Sequence, residues 1–341
     1  VVLISPTGSG KTLAFLLPVL ELLENERSDV QVLILVPTRE LAIQIEKVFK
    51  QMNTGFKINC CYGGHSVGIE ENNLLHPPAV LVGTPGRIGH HIRKNNVTLR
   101  NTHALVLDEF DKSLEMGFQD EMAFIIAQCS KLKKRVLISA TTLKLIPEFV
   151  GLKNPAELNF TTEHPDLKSA LVLKTVRVKG DDKLEALLLL LSKIAGKSTI
   201  IFCNHREAVG RISEQLSIYR IDHGFYHGGL EQIDREKVLI KLRNGSINVL
   251  VTTDLASRGL DIPEIEVVIH YQLPPTEDVM IHRNGRTARM NANGTSYFLL
   301  DQGDHFPEFI KESPEEEILP SEMILPPPCP WKTLYISAGK K

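Results

Sequence analysis

The 341-residue sequence is poor in cysteine and has no paired-cysteine motif. Its five cysteines are Cys60, Cys61, Cys129, Cys203 and Cys329. An odd number of cysteines without a Cys-x-x-Cys pair argues against a disulfide framework and against a zinc site. We therefore expect buried thiols and a reducing, cytoplasmic compartment.

Long apolar runs and an excess of one sign of charge are also missing. The longest uninterrupted aliphatic stretch, residues 186–191, is much shorter than the roughly 20 residues needed to cross a bilayer, so we expect no membrane span. The formal net charge is −2, which lacks the basic balance typical of nucleic-acid binders. A nucleic-acid partner would therefore have to be held by a local surface.

The sequence does contain two stretches in which strand and helix patterns alternate, as its length predicts for about two domains of roughly 100–200 residues each. The alternation predicts α/β domains, each with a parallel sheet and helices on both faces. In residues 1–160 the predicted strands after residues 1–4 are 31–36, 57–61, 79–82, 104–107 and 136–139.

The second half repeats this organisation after a polar segment at residues 161–170, which we interpret as a linker. The second domain is predicted at residues 171–310, with helices at 181–193 and 206–216. Its predicted strands are 173–178, 198–203, 221–226, 248–252, 267–271 and 294–300. Residues 311–341 become acidic and proline-rich, which predicts an extended tether.

A glycine-rich segment near the N-terminus, Ser5-Pro6-Thr7-Gly8-Ser9-Gly10-Lys11-Thr12, lies between the first predicted strand and a helical pattern. This is the context that a phosphate-binding loop requires. Gly8 and Gly10 let backbone N–H groups face phosphate oxygens, and the following helix directs its positive dipole end toward them. Lys11 would reach the β and γ phosphates, and the Thr12 hydroxyl would help to hold Mg²⁺. The alternative is a glycine turn before an ordinary helix.

An acidic segment, Asp108-Glu109-Phe110-Asp111, directly follows the predicted strand 104–107. Asp108 would hold Mg²⁺, and Glu109 is placed to orient and deprotonate the water that attacks the γ-phosphorus. The alternative is the acidic start of a solvated helix.

A basic segment, residues 282–289, contains Arg286 and Arg289 three positions apart, which predicts that both lie on one helix face. Such arginines can act as fingers that stabilise a transferred phosphoryl group, typically by about 10³ to 10⁵ in rate. Fingers supplied by the second domain would require the two domains to close during catalysis. The alternative is a basic, exposed helix.

Smaller segments follow other predicted strands and offer N–H groups and hydroxyls at one sheet edge, where a phosphate backbone could lie. They include residues 37–41, 63–64, 84–87, 139–141, 232–235 and 253–261.

Taken in order, these segments resemble the motifs of the DEAD-box RNA helicases from Ser5 to about Leu300. The resemblance implies two tandem RecA-like domains, with ATP and Mg²⁺ bound in a cleft and single-stranded RNA on an outer face. It implies catalytic roles for Lys11, Asp108, Glu109, Arg286 and Arg289, with Thr12 and Asp108 as metal ligands.

The same resemblance assigns further contacts. The nucleotide contacts are Ser5, Thr7, Gly8, Ser9, Gly10, Lys11, Thr12, Gly259 and Asp261. The RNA contacts are Thr38, Arg39, Gly64, Thr84, Gly86, Arg87, Gln232, Arg235 and Thr253. The residues that couple the ATP state to unwinding, through hydrogen bonds from the segment of Ser139 and Thr141, are Asp111, Ser139, Thr141 and His282.

The sequence departs from the family pattern in three places. Phe110 stands where the family usually has alanine, so the packing beneath the acidic box must accommodate a ring. The family's upstream adenine-binding glutamine and aromatic residue are missing, so we expect a truncated first domain. Asn284 and Ala288 stand where isoleucine and glycine are usual.

The last residues, Trp331–Lys341, resemble the opening strand of the RNA-recognition-motif-like domain of some bacterial DEAD-box proteins that act on ribosomal RNA. Tyr335 is placed to stack on a base in such a domain. The alternative is a frayed tail with a stray aromatic residue.

We therefore expect an ATP-dependent RNA helicase, acting as a monomer, that unwinds RNA locally and without processive stepping. Ribosomal RNA is one candidate target. Two alternatives stay open: an ATP-gated RNA clamp that does not separate strands, and a DNA translocase built on the same paired domains.

Overall fold

The computed structural model describes residues 1–5, 9–64, 66–141, 145–160, 171–178, 183–254, 262, 265–288, 293–310 and 314–320. These residues form two compact units, one from the described residues up to 160 and one from those beyond 170. The predicted linker at 161–170 and the predicted tail strand at 331–341 lie outside the described residues.

The first unit is built on a parallel sheet. Its strands are β1 (Val2–Ile4), β2 (Val32–Leu35), β3 (Ile58–Cys61), β4 (Val80–Gly83), β5 (Ala104–Leu107), β6 (Lys134–Ser139) and β7 (Glu157–Asn159). Within the described residues the strand order is β3-β4-β2-β5-β6-β1-β7. Strands β2, β4 and β5 are buried along their whole length, as expected for parallel strands that are covered on both faces.

Helices cover both faces of this sheet. They are α1 (Lys11–Glu21), α2 (Arg39–Gln51), α3 (Val67–Leu74), α4 (Pro85–Arg93), α5 (Phe110–Glu115) and α6 (Gln119–Ala127), with a 3₁₀ turn at Glu148–Val150. Neighbouring residues of one strand enter different cores, because successive side chains of a strand point to opposite faces. Leu33 belongs to the same core as Met122, whereas Ile34 belongs to the core that contains Phe15.

The second unit has the same architecture. Its strands are β8 (Leu171–Arg177), β9 (Thr199–Cys203), β10 (His223–Tyr226), β11 (Val249–Thr253), β12 (Val267–His270), β13 (Gly294–Leu300) and β14 (Glu315–Glu316). Its helices are α7 (Lys183–Lys193), α8 (Arg206–Ile218), α9 (Gln232–Arg243) and α10 (Glu277–Asn284). The strand order, β10-β11-β9-β12-β13-β8-β14, repeats that of the first unit position by position. The predicted pair of RecA-like α/β folds is confirmed.

Part of the predicted acidic tether lies on the second sheet. Strand β14 pairs in parallel with β8, and the carboxylate of Glu317 accepts hydrogen bonds from Lys174, at 2.7 Å, and from Lys193. The backbone N–H of Glu317 also donates to the carbonyl of Thr175 at 2.8 Å. Two lysines on the second unit therefore fix this acidic segment, which local composition alone did not indicate.

The described residues can be examined for disulfides and for membrane-spanning helices. The four cysteines among them, Cys60, Cys61, Cys129 and Cys203, are free thiols, and all but the half-buried Cys60 are buried. None of the described helices combines the length and hydrophobicity that crossing a bilayer requires.

Candidate active site

The carboxyl end of β1 leads into the predicted phosphate-binding segment. Gly10 caps α1 in a left-handed conformation, with φ 84°, which glycine adopts without strain. Lys11 begins the helix, and its Nζ donates a hydrogen bond to the carbonyl oxygen of Ser5 at 2.7 Å. The hydroxyl oxygens of Ser5 and Ser9 lie 2.6 Å apart. Ser9 and Lys11 therefore lie against the end of β1, and Thr12 lies in the first turn of α1, whose N-terminus favours anions.

Two acidic residues follow β5 in the same unit. Asp108 is buried, and burial together with the charge of Glu109 raises its pKa to about 7, against the opposing effect of Lys11. The Asp108 carboxylate accepts the backbone N–H of Glu109 at 2.9 Å. Glu109 has φ 46° and ψ 49°, a left-handed conformation that costs a residue with a Cβ roughly 1–2 kcal/mol. Its Oε2 is buried and has no hydrogen-bond partner among the described residues.

These side chains fit a divalent cation with oxygen ligands. Mg²⁺ prefers carboxylate and hydroxyl oxygens, which Asp108 and Thr12 provide. A buried carboxylate whose ionisation is disfavoured gains strongly from a nearby cation, because the cation stabilises the charged form. The donor set and the burial of Asp108 therefore suit Mg²⁺, and Lys11 with the α1 N-terminus suits phosphate.

The ring of Phe110 is accommodated as expected. Phe110 is fully buried in the core that also contains Met122, and its centroid lies 6.5 Å from that of Phe149 with the ring planes tilted by 55°. The ring packs beneath the acidic box rather than into it, so both acids keep their positions on the strand end.

One of the predicted coupling contacts is present in the first unit. The Thr141 hydroxyl donates to Asp111 Oδ2 at 3.2 Å. Ser139 differs from the expectation: its hydroxyl donates to the carbonyl of Thr141 at 2.6 Å and accepts the Thr141 N–H at 3.1 Å. The serine thus shapes the turn that presents Thr141, and the threonine makes the contact to Asp111.

Three predicted RNA contacts of the first unit meet at one sheet edge. Thr38 caps α2 by accepting the N–H of Leu41 at 3.3 Å, and Arg39 is the first residue of that helix. Gly64 follows β3 with φ 99°, and a Cβ at this position would lie 2.2 Å from Nη1 of Arg39. Glycine at residue 64 therefore leaves room for the Arg39 guanidinium.

The segment of Thr84, Gly86 and Arg87 follows β4 and forms the start of α4. The Arg87 Nε lies 3.1 Å from both the carbonyl of Tyr62 and Oε2 of Glu70. Because its guanidinium is held by protein groups and is largely buried, Arg87 also positions the loop that follows β3. The RNA role of Arg87 remains a prediction.

Sequence reasoning missed the buried partners of Arg87. Glu70 Oε1 accepts the N–H of Tyr62 at 2.8 Å, and Oε2 lies 2.6 Å from Nε2 of His91. Cys61, Glu70 and His91 bring three potential metal-binding atoms within 4.8 Å of one another. Both carboxylate oxygens are already hydrogen-bonded, the Arg87 cation adjoins them, and burial raises the pKa of the Cys61 thiol. We therefore interpret this cluster as a hydrogen-bonded brace, not as a metal site.

The second unit brings three predicted RNA contacts to the ends of neighbouring strands β10 and β11. Gln232 begins α9, and Thr253 ends β11. Arg235 donates to the carbonyls of Leu230, at 3.1 Å, and Gly228, at 2.6 Å, and so braces the loop between β10 and α9. These hydrogen bonds fix the conformation of the loop that follows β10.

The prediction that Arg286 lies on a helix face is wrong. Helix α10 ends at Asn284, and Gly285 caps it. Ala288 then has φ 52°, which is incompatible with a continuing right-handed helix. Thr287 forms a parallel bridge with Ile265, which draws the chain toward β12. Arg286 therefore lies on a loop, whereas His282 lies in the last turn of α10.

Five of the predicted site residues lie outside the described residues: Thr7, Gly8, Gly259, Asp261 and Arg289.

Comparison with known proteins agrees with this geometry. Residues 1–147 match the DEAD/DEAH box helicase family, and residues 182–291 match the helicase conserved C-terminal domain. The chain is 36% identical, over 86% of its length, to half of the ATP-dependent RNA helicase DeaD of Buchnera aphidicola subsp. Baizongia pistaciae. It spans about half the length or less of the curated relatives it matches.

Two solved structures are informative. A DEAD box protein from the hyperthermophile Methanococcus jannaschii is 32% identical with a TM-score of 0.50, and the match covers 88% of this chain and 82% of that one. Saccharomyces cerevisiae Dbp5 bound to RNA and ADP BeF3 is 27% identical with a TM-score of 0.77, over 88% of this chain and 79% of that one. With the acidic pair after β5, the Thr141–Asp111 bond and the repeated sheet, these matches show that the chain belongs to the DEAD-box helicase family.

Proposed function

We propose that this chain is the core of an ATP-dependent RNA helicase, which hydrolyses ATP when RNA is bound and uses the cycle to unwind or remodel RNA locally, without processive stepping. The observation that carries the proposal is the pairing of buried Asp108 with left-handed Glu109 at the end of β5, near Lys11. Relatives named as ATP-dependent RNA helicases, and a similar structure bound to RNA and ADP BeF3, support it.

In this proposal the first unit supplies most of the hydrolytic groups. Lys11 and the N-terminus of α1 would bind the phosphates, and Thr12 with Asp108 would hold Mg²⁺. The metal would neutralise charge on the phosphate oxygens. Glu109 orients the attacking water and accepts its proton at the buried Oε2, since this atom has no competing partner among the described residues. Arg286 is the proposed finger.

RNA is the proposed partner because two separate sheet edges carry the predicted contacts. Thr38, Arg39 and Gly64 adjoin one another in the first unit, and Gln232, Arg235 and Thr253 follow neighbouring strands in the second. Hydroxyls, guanidinium groups and helix N-termini are groups that bind phosphates without reading sequence. A ribosomal RNA target and a monomeric state are parts of the proposal that depend on the sequence resemblance alone.

The first test is the ATPase activity of Glu109→Gln. We expect turnover with saturating RNA to fall by about 10²-fold or more, because the amide cannot accept the proton of water, while ATP and RNA binding persist. The matched control is Glu157→Gln, which removes an exposed carboxylate on β7 of the same unit and should retain full turnover. Normal turnover of Glu109→Gln would remove Glu109 from the mechanism.

Two further measurements separate the competing functions. Strand displacement on a short RNA duplex distinguishes a helicase from a clamp: ATP-dependent RNA binding without displacement would favour the clamp. Stimulation of ATPase by single-stranded DNA distinguishes an RNA enzyme from a DNA translocase, because the 2′-hydroxyl is what tells RNA from DNA. Equal stimulation by both nucleic acids would overturn RNA as the substrate.

A further inference from the structure

A buried polar network lies at the end of α10, immediately before the loop that carries Arg286. Arg283 is 1% exposed, and its guanidinium makes a bidentate pair with Asp254 at 2.6 and 2.7 Å. It also donates to Asn204 Oδ1 and to the carbonyl of Gln272, each at 2.7 Å. Arg283 thus joins the ends of β9, β11 and β12 to the end of α10.

His270, the last residue of β12, extends this network toward β13. Its Nδ1 lies 3.3 Å from Nη1 of Arg283. Its Nε2 lies 3.1 Å from Oδ1 of Asn284 and 3.0 Å from the hydroxyl oxygen of Ser296. The Ser296 hydroxyl in turn donates to Asn284 Oδ1 at 2.8 Å. The imidazole is fully buried and stacks on Phe298 at a centroid distance of 4.3 Å.

The donors and acceptors fix the tautomer of His270. A guanidinium has only donors, so Nδ1 of His270 must be the acceptor toward Arg283. The proton of a neutral ring is then on Nε2, where it faces the carbonyl oxygen of Asn284. Burial and the charge of Arg283 lower the pKa of His270 well below its ordinary value, which keeps the ring neutral. A second donor at Nδ1 would oppose the Arg283 cation.

The network explains the presence of a polar residue at position 284, where the sequence departs from the family pattern. Asn284 stands where the family usually has isoleucine, which could accept no hydrogen bond. Here its side chain accepts from both His270 and Ser296, so the polar residue satisfies two buried donors. An apolar side chain at residue 284 would leave both donors without this acceptor.

The loop that carries Arg286, residues 285–288, is called the finger loop, and its backbone is hydrogen-bonded to the same residues. The N–H of Arg286 donates to the carbonyl of Arg283 at 3.2 Å, and the N–H of Thr287 donates to the carbonyl of Asn284 at 3.0 Å. On the other side of the network, Asp254 directly follows Thr253, the predicted RNA contact at the end of β11. The buried groups therefore connect the finger loop with an RNA-binding loop within one unit.

We propose that His270, as a neutral Nε2–H imidazole held between Arg283 and Asn284, is a positioning residue that fixes the Arg286 loop relative to the end of β11. The proposal rests on the proposed function, because it assigns a role in ATP hydrolysis. His270 itself touches neither substrate. It acts through Arg283 and Asn284, whose backbone carbonyls hold the finger loop.

The first experiment concerns the tautomer and needs no substrate. Long-range ¹H–¹⁵N NMR of the full chain with ¹⁵N-labelled histidine, assigned with His270→Asn, should show His270 as the neutral Nε2–H form throughout pH 6 to 8. An imidazolium or an Nδ1–H form in that range would overturn the proposal. This result does not depend on whether the chain hydrolyses ATP.

The second experiment is a graded series measured by RNA-stimulated ATPase. His270→Phe keeps a stacked ring but removes both hydrogen bonds, and we expect kcat to fall by about 10- to 100-fold, since misplacing a catalytic group by about 1 Å has effects of that size. KM for ATP and the affinity for RNA should stay unchanged. His270→Asn, whose carbonyl can still accept from Arg283, should restore part of kcat.

Asn284→Ile gives the family's usual residue and serves as a second variant if His270→Phe does not fold. We expect it to lower kcat without changing KM, because it removes the acceptor for His270 and Ser296. The matched control is His223→Phe, which breaks another histidine–serine hydrogen bond of this unit, 2.8 Å to Ser213, and should keep full kcat.

The outcomes separate this proposal from the proposed function. If the unmodified chain lacks RNA-stimulated ATPase, the proposed function fails. If that activity is present but folded His270→Phe and Asn284→Ile keep full kcat, the positioning role fails. Equal losses in kcat and RNA affinity, without rescue by His270→Asn, would also overturn it in favour of a purely structural role.

Discussion

Two residues in or near the proposed catalytic groups have a left-handed backbone conformation. Glu109 has φ 46° in the acidic box, and Ala288 has φ 52° two residues after the proposed finger Arg286. Residues with a Cβ rarely adopt such angles, and when they do the surrounding structure must impose them. At residue 288 the family usually has glycine, which adopts these angles freely. The protein thus retains a strained turn where the family usually avoids strain.

Ala288→Gly should stabilise the second unit by about 0.5–1 kcal/mol, because removing the Cβ relieves the left-handed strain and outweighs the added freedom of the unfolded chain. The midpoint of the corresponding transition in urea unfolding would measure this change.

The matched control for Ala288→Gly is Arg220→Gly, which relieves the same strain at φ 55° after α8. A similar gain there, with unchanged ATPase, is expected. If Ala288→Gly lowered the unfolding midpoint, the side chain at residue 288 would have to stabilise the fold by contacts that exceed the strain.

At the scale of helices and strands, one ion-paired segment holds the edge of the second sheet. Burial alone would raise the pKa of Glu317, but hydrogen bonds from Lys174 and Lys193 lower it below its ordinary value of 4.5. Glu317 is therefore charged in the folded protein at a pH where the unfolded chain already takes up a proton.

The pH dependence of stability follows from that shift. The contribution of Glu317 is complete above its unfolded pKa, near 4.5, and is lost as pH falls through the lower folded pKa. Glu317→Gln should lower the free energy of unfolding of the second unit by about 1–3 kcal/mol at pH 7 and should weaken its loss of stability in acid. Thermal unfolding between pH 3 and 7 measures both effects. Equal acid sensitivity of both proteins would contradict this role.

The central strands were predictable from sequence because they are short, buried apolar runs, whereas the exposed edge strands β7 and β14 were not predicted. Residues 104–107 are such a run, and the acidic pair follows it as expected. The end of α10 was not predictable, since nothing local in the segment of Arg286 signals that Thr287 will bridge to Ile265. The partners of Arg283 were also hidden, because Asn204 and Asp254 are brought to it by strand order rather than by spacing. The segment at Glu317 was missed for the same reason.

For the whole molecule, the net charge of −2 means that no general positive field attracts RNA. In the proposed function, affinity for RNA would come from a few cations at the two sheet edges, each of which would release counterions on contacting a phosphate. The slope of log K for RNA binding against log salt concentration therefore reports how many of these cations contact a phosphate.

Arg39→Gln should weaken binding equally for RNAs of different sequence and should reduce the slope of log K against log salt by about 0.7, the value for one contact to a single strand. Binding would be measured by fluorescence anisotropy over a salt series. The control is Arg93→Gln, which removes a cation already paired with Glu121 at 2.6 Å and should leave the slope unchanged. An unchanged slope in Arg39→Gln would mean that Arg39 does not contact a phosphate.

Because the two sheets have the same strand order, residues at equivalent positions of the two units can be compared directly. Lys183 opens the helix after β8 just as Lys11 opens the helix after β1, so the two lysines occupy equivalent places in duplicated frameworks. In the second framework, however, Asp301 and Asp304 already neutralise the ammonium group. On charge grounds we therefore expect Lys183 to bind a phosphate less readily than Lys11, so that the second unit would not hold a triphosphate of its own.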